Sequence, residues 1–160
     1  MASRAPRHPP LAAYVLHRYD WSESSVILDV FTREQGRIAV AAKGAKRPFS
    51  QLRGVLLPFQ RLHLSVGRDA GGDDGREVQT LRTADWAGGH AMLTGAALFS
   101  GFYANELLMK LLARHDPHPR LFDAYGETVA ALGGSDEETQ AALRAFELVL
   151  LREIGLLPDL

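Results

Sequence analysis

Residues 25–43 read Ser25-Val-Ile-Leu-Asp-Val-Phe-Thr-Arg-Glu-Gln-Gly-Arg-Ile-Ala-Val-Ala-Ala-Lys43. The first eight residues are rich in β-branched and aromatic side chains, which is typical of a strand. Glu34-Gln-Gly36 is a turn signal, because glycine reaches positive φ without strain. After the turn, Ile38, Val40 and Ala42 alternate with their neighbours and are expected to face one side of a sheet. The stretch therefore predicts a strand–turn–strand unit with one buried face.

Three further segments have the strand pattern. Tyr14–Leu16 forms the centre of a first strand, residues 59–66 alternate as a fourth, and residues 77–83 form a fifth. Five short strands in an open sheet would leave edges that favour aggregation, so closure is expected. We predict a five-stranded oligonucleotide-binding (OB) barrel over residues 11–86. Residues 1–10 are basic and proline-rich, lack the apolar run of a signal peptide and are expected to be disordered.

Beyond about Gly88 the spacing of apolar residues becomes that of an amphipathic helix. A second helix is expected at residues 121–132, and Ser135 with Glu138 resembles a capping box that begins a third. The first helix has apolar residues on a face broad enough to be buried on most sides: Ala96, Leu98, Phe99, Phe102, Tyr103, Leu107, Met109, Leu111 and Leu112. The predicted fold class is α+β, with the barrel followed by a helical domain over residues 87–160.

Composition limits the function classes. The chain has no cysteine, which excludes a disulfide framework and a thiolate metal site within these residues. No window approaches the length of an apolar membrane span, and a cytoplasmic location is expected. Residues 1–68 carry 11 basic and 4 acidic side chains, whereas residues 69–160 carry 7 and 15. This asymmetry suggests two modules with different partners.

A basic cluster lies within residues 29–53, where only Asp29 and Glu34 oppose six Lys and Arg side chains. A fixed positive surface of this kind is suited to phosphate, and an aromatic side chain among the cations can stack on an unpaired base. Sequence-independent DNA binding is the expectation. We assign it to Arg33, Arg37, Lys43, Lys46, Arg47, Phe49 and Arg53. The alternative is a solvated loop in which the phenylalanine is buried.

Other polar groups give no active site. The glycine-rich residues 67–75 lack the Gly-Lys-Ser/Thr ending of a phosphate loop and are expected to be a flexible hairpin loop. The His and Asp side chains of residues 115–118 have weak metal-ligand spacing and favour a polar loop. Carboxylates at strand ends have no catalytic partner recognisable from spacing: Asp20, Glu23 and Asp29. We expect no catalytic residue, no metal and no cofactor, and therefore not an enzyme.

Arg144 lies on the third helix between the apolar residues Leu143 and Phe146. One interpretation is a surface arginine whose stem covers apolar side chains. The other is a receptor for a carboxylate or a peptide C-terminus, because the guanidinium offers a bidentate fork beside apolar pockets. Spacing alone favours the first interpretation.

Several motifs, collinear from about residue 11 to the end, resemble the RecO family of bacterial DNA repair proteins. They are Tyr14-Val-Leu-His-Arg-Tyr-Asp-Trp-Ser-Glu-Ser-Ser, Leu28-Asp-Val-Phe-Thr, Gly36-Arg, Ala42-Lys-Gly-Ala-Lys-Arg, Leu57-Pro-Phe, Tyr103-Ala-Asn-Glu-Leu-Leu and Arg144-Ala-Phe-Glu-Leu-Val-Leu-Leu. The resemblance implies an N-terminal OB barrel and a helical domain. It also implies a recombination mediator that binds single- and double-stranded DNA and anneals complementary strands.

The resemblance further implies partners. RecO proteins act on DNA coated with single-strand binding protein (SSB) and, with RecR and in one branch RecF, help to load the RecA recombinase. By the same resemblance, Lys43, Lys46 and Arg47 match the basic DNA-binding segment. Arg144 matches a helix position associated with docking the acidic, Phe-ended tail of SSB.

The resemblance has one departure, at the C-terminus. Family members continue well past the equivalent of Leu160, and some hold zinc there with four cysteines, so this chain is expected to be a truncated or unusually short member. Two other functions remain open at this point. One is a non-catalytic scaffold whose basic face binds acidic peptides. The other is a metal-dependent nuclease, which would need a carboxylate pair that the strands do not obviously supply.

Overall fold

The computed structural model describes residues 9–68, 78–89 and 92–156. Its strands are Leu11–Asp20 (β1), Val26–Thr32 (β2), Gly36–Ala42 (β3), Gln60–Arg68 (β4) and Val78–Gly89 (β5). They form a closed barrel in the order β1-β2-β3-β5-β4, in which only β3 and β5 pair in parallel. The barrel confirms the predicted fold class. The expected disorder of residues 1–8 and the expected hairpin loop around glycines 71, 72 and 75 concern parts of the chain outside the described residues.

The barrel interior follows the alternation of the sequence. Ile38, Val40 and Ala42 are fully buried, and across the ladder they lie opposite Val30, Leu28 and Val26 of β2. Leu62 and Leu64 of β4 complete this core from the other side. The predicted inward face of β3 is therefore confirmed.

Three helices follow the barrel: Gly95–Leu111 (α1), Pro119–Ala131 (α2) and Asp136–Glu153 (α3). Ser135 caps α3 as predicted, because its Oγ accepts a hydrogen bond of 3.2 Å from the Glu138 backbone N–H. Among the described helices none has both the length and the apolar composition that crossing a bilayer requires.

The helices pack on the outside of the barrel and share a second core with it. Phe31 of β2 meets Phe122 of α2 with ring centroids 5.4 Å apart, and Tyr14 of β1 meets Tyr125 at 4.9 Å. Burial raises the pKa of Tyr125, so its hydroxyl stays protonated and donates to the Asn105 side-chain oxygen. These edge-on aromatic contacts fix the helical domain against the barrel.

The expectation that α1 is buried on most sides is wrong. Its buried residues are Gly101, Ala104, Asn105 and Leu108, whereas Phe99 is 79% exposed. The amide of Asn105 donates to the Leu16 carbonyl of β1 at 3.2 Å, so hydrogen bonding as well as hydrophobicity selects the inward face.

Candidate nucleic-acid interface

Residues 43–54, here called the basic loop, connect β3 to the end of a short 3₁₀ helix, Gln51–Gly54. The basic loop contains four Lys and Arg residues and no Asp or Glu. The side chains of Lys43, Arg47 and Arg53 are exposed, and Phe49 is 98% exposed. The alternative in which the phenylalanine is buried is therefore wrong. The loop presents cations and an aromatic ring to solvent together, as a nucleic-acid contact requires.

The backbone of the basic loop is held in a defined shape. Gly44, with φ of 75°, begins a turn closed by a 3.1 Å hydrogen bond from the Arg47 N–H to its carbonyl. Ser50 then donates its N–H to the Arg47 carbonyl at 3.0 Å and accepts a hydrogen bond from Leu52 through Oγ. Ala45 is buried in the barrel core and anchors the loop. The exposed cations therefore project from a fixed backbone.

Lys46 is a partial exception, because its side chain is only 25% exposed. Its Nζ donates to the Ser22 carbonyl at 2.7 Å and lies 3.7 Å from Asp20 Oδ1. Its backbone N–H donates to the Ser24 carbonyl at 2.9 Å. Lys46 thus ties the basic loop to the loop between β1 and β2, and it offers less free charge to DNA than the sequence suggests.

Arg33 lies at the opposite end of the barrel. Its guanidinium forms a two-point contact with Asp123 of α2, with N–O distances of 3.0 and 3.2 Å. Hydrogen bonding from Arg33 lowers the pKa of Asp123, so the pair stays charged at neutral pH. The length of β3, at about 3.3 Å per residue, separates this end from the basic loop by about 20 Å. Arg33 therefore does not extend the surface formed by the basic loop.

The assignment of Arg37 to DNA is corrected by its contacts. Its guanidinium binds Asp29, which is almost fully buried, with N–O distances of 2.9 and 3.0 Å. Its Nη1 donates to the carbonyls of Met109 and Leu112 at 2.8 and 2.7 Å. Parity placed Arg37 on the outer face of the barrel, but the helical domain covers that part of the face. Arg37 joins the two domains, with four of its five N–H donors engaged and its side chain only 12% exposed.

Arg144 is exposed on α3 and faces away from the shallow groove between α2 and α3. That groove is lined by residues such as Ala145 and Val149. Around the axis of α3, these two positions are rotated from Arg144 by about 100° and about 140°. Arg144 Nε instead lies 2.7 Å from Glu147 Oε1, and Glu147 Oε2 accepts a 2.8 Å hydrogen bond from Tyr103 of α1. That hydrogen bond raises the pKa of Tyr103. The arginine therefore lies beside the α1–α3 junction, in an ion pair with which an incoming carboxylate would compete.

Sequence reasoning missed two exposed aromatic residues near the basic loop. Tyr19 is the penultimate residue of β1 and Trp21 begins the following loop; they are 47% and 55% exposed. The sequence feature that could have identified them is the pair of aromatic residues at the end of a strand, followed by the polar residues 22–25. In the polar loop of residues 115–118, His118 contacts Asp116 and Glu153, and no group of three or more potential metal ligands occurs within the described ranges.

Two family models match the chain. Residues 11–89 match the model described as Recombination protein O N terminal, and residues 92–160 match Recombination protein O C terminal. A protein named DNA repair protein RecO from Polaromonas sp. is 62% identical over 147 residues, covering 91% of this chain and 57% of the relative. Proteins with the same name from Polaromonas naphthalenivorans and Variovorax paradoxus are each 59% identical, covering 100% and 99% of this chain and 61% of each relative. The chain thus spans about three fifths of the length of these curated relatives.

Proposed function

The chain belongs to the RecO family of DNA repair proteins, and from this premise we propose that its barrel binds the DNA backbone through the basic loop without reading the bases. The observation that carries the proposal is the basic loop itself, in which Lys43, Arg47 and Arg53 are exposed on a hydrogen-bonded backbone without a carboxylate in the same segment. Contacts to phosphate position a protein on DNA but carry no direct sequence information. Binding to both single and double strands is therefore expected.

Annealing of complementary strands follows from the same surface. Cations that neutralise phosphates release counterions and reduce the repulsion between two strands, and no catalytic group is needed for this. In the whole protein we propose a non-catalytic mediator in the cytoplasm, associated with the nucleoid. It would act on SSB-coated DNA with RecR, and with RecF in one branch, to help load RecA.

A double variant, Lys43→Ala with Arg47→Ala, tests the DNA contact. Each lost phosphate contact lowers the slope of log affinity against log salt by about 0.9 on duplex and about 0.7 on single strands. The double variant should therefore flatten the slope by about 1.8 and 1.4, measured by fluorescence anisotropy between 50 and 200 mM salt.

The matched control is a double variant, Arg120→Ala with Arg152→Ala, which removes the same two charges from exposed positions on the helices. It should keep the wild-type slope, because these side chains lie outside the basic loop. An unchanged slope in the Lys43 and Arg47 variant would mean that DNA binds another surface.

We also propose that Arg144 receives the C-terminal carboxylate of the acidic SSB tail. Its side chain is 62% exposed, and two partly exposed side chains with apolar surface lie nearby: Tyr103 of α1, whose hydroxyl binds the same Glu147, and Leu148 one turn along α3. A terminal phenylalanine could bury its ring there while its carboxylate binds the guanidinium fork. Glu147 holds Arg144 in place when no peptide is bound.

Peptide titration tests this site. Arg144→Ala should weaken binding of an acidic, Phe-ended peptide by about 10- to 150-fold, because a hydrogen bond to a charged group contributes about 1.5–3 kcal/mol. Glu147→Gln should tighten binding by removing the competing carboxylate, and Arg152→Ala is the control for net charge. If Lys43→Ala with Arg47→Ala weakened peptide binding and Arg144→Ala did not, the result would favour the scaffold alternative, in which the basic loop binds acidic peptides.

A further inference from the structure

Two loops form a single hydrogen-bonded edge at one end of the barrel. The loop after β1, residues 21–25, accepts two hydrogen bonds from Lys46. The backbone N–H of Lys46 donates to the Ser24 carbonyl, and its ammonium donates to the Ser22 carbonyl. A third bond runs from the Gly44 N–H to Ser25 Oγ at 3.3 Å. Within residues 21–25, the Trp21 N–H donates to the Ser25 carbonyl at 3.2 Å. These bonds fix the relative position of the residues 21–25 loop and the basic loop.

Three aromatic side chains border this edge and face solvent. Tyr19 and Trp21 are about half exposed, and Phe49 is almost completely exposed. Tyr19 is supported by an edge-on contact with His17, with centroids 4.5 Å apart. Of the other aromatic residues of the barrel, Tyr14 and Phe31 are buried, whereas Trp86 of β5 is exposed. Trp21 lies three residues before Ser24, and Phe49 lies three residues after Lys46, which is hydrogen-bonded to Ser24. Three residues of extended chain span about 10 Å, so each ring is attached within that distance of the hydrogen bond.

We propose that Tyr19, Trp21 and Phe49 form a stacking platform for unpaired bases, so that this edge of the barrel prefers single-stranded over double-stranded nucleic acid. The proposal rests on the proposed function and adds the class of DNA that the site selects. In a duplex the base faces are stacked on each other and are closed to these rings. In a single strand every base offers a π-face, whatever its identity, and the strand can follow the cations next to the rings.

The charges around the platform favour a nucleic acid as its occupant. Lys43 and Arg47 are exposed on the basic loop, and Lys46 offsets Asp20 at 3.7 Å. Glu23 is the other acid of this edge. Cations interleaved with isolated aromatic rings match a phosphate chain with separated bases better than a continuous apolar protein surface. One OB fold covers about 4–16 nucleotides, enough to reach both loops.

The chain supplies its own reporter, because Trp21 and Trp86 are its two tryptophans. Trp86 is also exposed, but it lies on β5 opposite Leu62 and donates its indole N–H to Gln60 at 3.1 Å. The variant Trp86→Phe therefore reports on Trp21 alone, and Trp21→Phe reports on Trp86 alone. Each would be titrated with a thymidine oligonucleotide and with a duplex of equal length at one salt concentration, with binding followed in parallel by anisotropy.

In Trp86→Phe, the single strand should quench the fluorescence of Trp21 and the duplex should leave it unchanged, although anisotropy shows both binding. In Trp21→Phe neither ligand should quench. Anisotropy-detected binding of the single strand without quenching of Trp21 would overturn the proposal, as would equal quenching by the duplex.

Affinity gives a second, independent test. Trp21→Ala and Phe49→Ala should each weaken single-strand binding by about 5- to 150-fold and leave duplex binding within about twofold. Trp86→Ala is the matched control and should change neither. Equal losses on single strand and duplex would overturn the stacking platform. Failure of the DNA-binding proposal itself would look different, since the salt slope would then be unaffected by Lys43→Ala with Arg47→Ala.

Discussion

Replacing Arg37 with alanine is expected to lower the free energy of unfolding by about 3–5 kcal/mol, while leaving the salt dependence of DNA binding unchanged. Asp29 is only 1% exposed in side-chain terms, and Arg37 supplies its close counter-charge at 2.9 Å. Without the guanidinium, a carboxylate would remain buried, and the Met109 and Leu112 carbonyls would lose their donor. Arg114, 3.5 Å from the carboxylate, offsets only part of this cost because it is longer-range and 43% exposed.

Urea unfolding measures the loss directly. Arg47→Ala removes the same charge from an exposed position and should change stability by no more than about 0.5 kcal/mol. A double variant, Asp29→Asn with Arg37→Met, should be less damaging than Arg37→Ala alone, because it removes the buried charge together with its partner. If Arg37→Ala were as stable as Arg47→Ala, neither the ion pair with Asp29 nor the hydrogen bonds from Arg37 to the helical domain would contribute to stability. If Arg37→Ala flattened the salt slope, Arg37 would contact DNA after all.

The same residue shows where sequence reasoning succeeds and where it stops. Alternation in β3 correctly placed Ile38, Val40 and Ala42 inside the barrel, because a period of two is a local property of a strand. It also placed Arg37 outside, which is correct for the barrel alone. What lies outside is decided by the helical domain, whose carbonyls at the end of α1 bind Arg37 from more than 70 residues away. No local pattern contains that contact.

Helix α1 illustrates a related limit. Its apolar residues surround the helix, so the period gave no unique inward face. The structure selects the side with Gly101 and Asn105, since the glycine lets the ring of Phe59 approach and the amide binds a β1 carbonyl. The basic loop was readable because charge and proline composition are local. The platform residues Tyr19 and Trp21 were not, because their exposure depends on where β1 leaves the barrel.

Gly36→Ala is the second large effect that we expect, a loss of about 2–5 kcal/mol in the free energy of unfolding. Gly36 has φ of 75° in the β2–β3 turn, where a Cβ costs about 1–2 kcal/mol. A Cβ there would also lie 2.4 Å from the Asp116 carbonyl oxygen, so the backbone joining α1 to α2 would have to move. Overpacking of this kind adds about 1–3 kcal/mol.

Gly44→Ala separates the two contributions. Gly44 has the same φ of 75°, but its Cβ would meet only the Arg47 side chain at 3.6 Å, an ordinary contact. It should therefore lose about 1–2 kcal/mol, from backbone strain alone. In Gly36→Ala, the His115 amide, which donates to the Arg37 carbonyl at 2.9 Å, should also exchange with solvent faster, whereas Gly44→Ala should leave it protected. Equal losses of stability and equal protection in the two variants would mean that the backbone of the α1–α2 connection does not pack closely against the barrel at this turn.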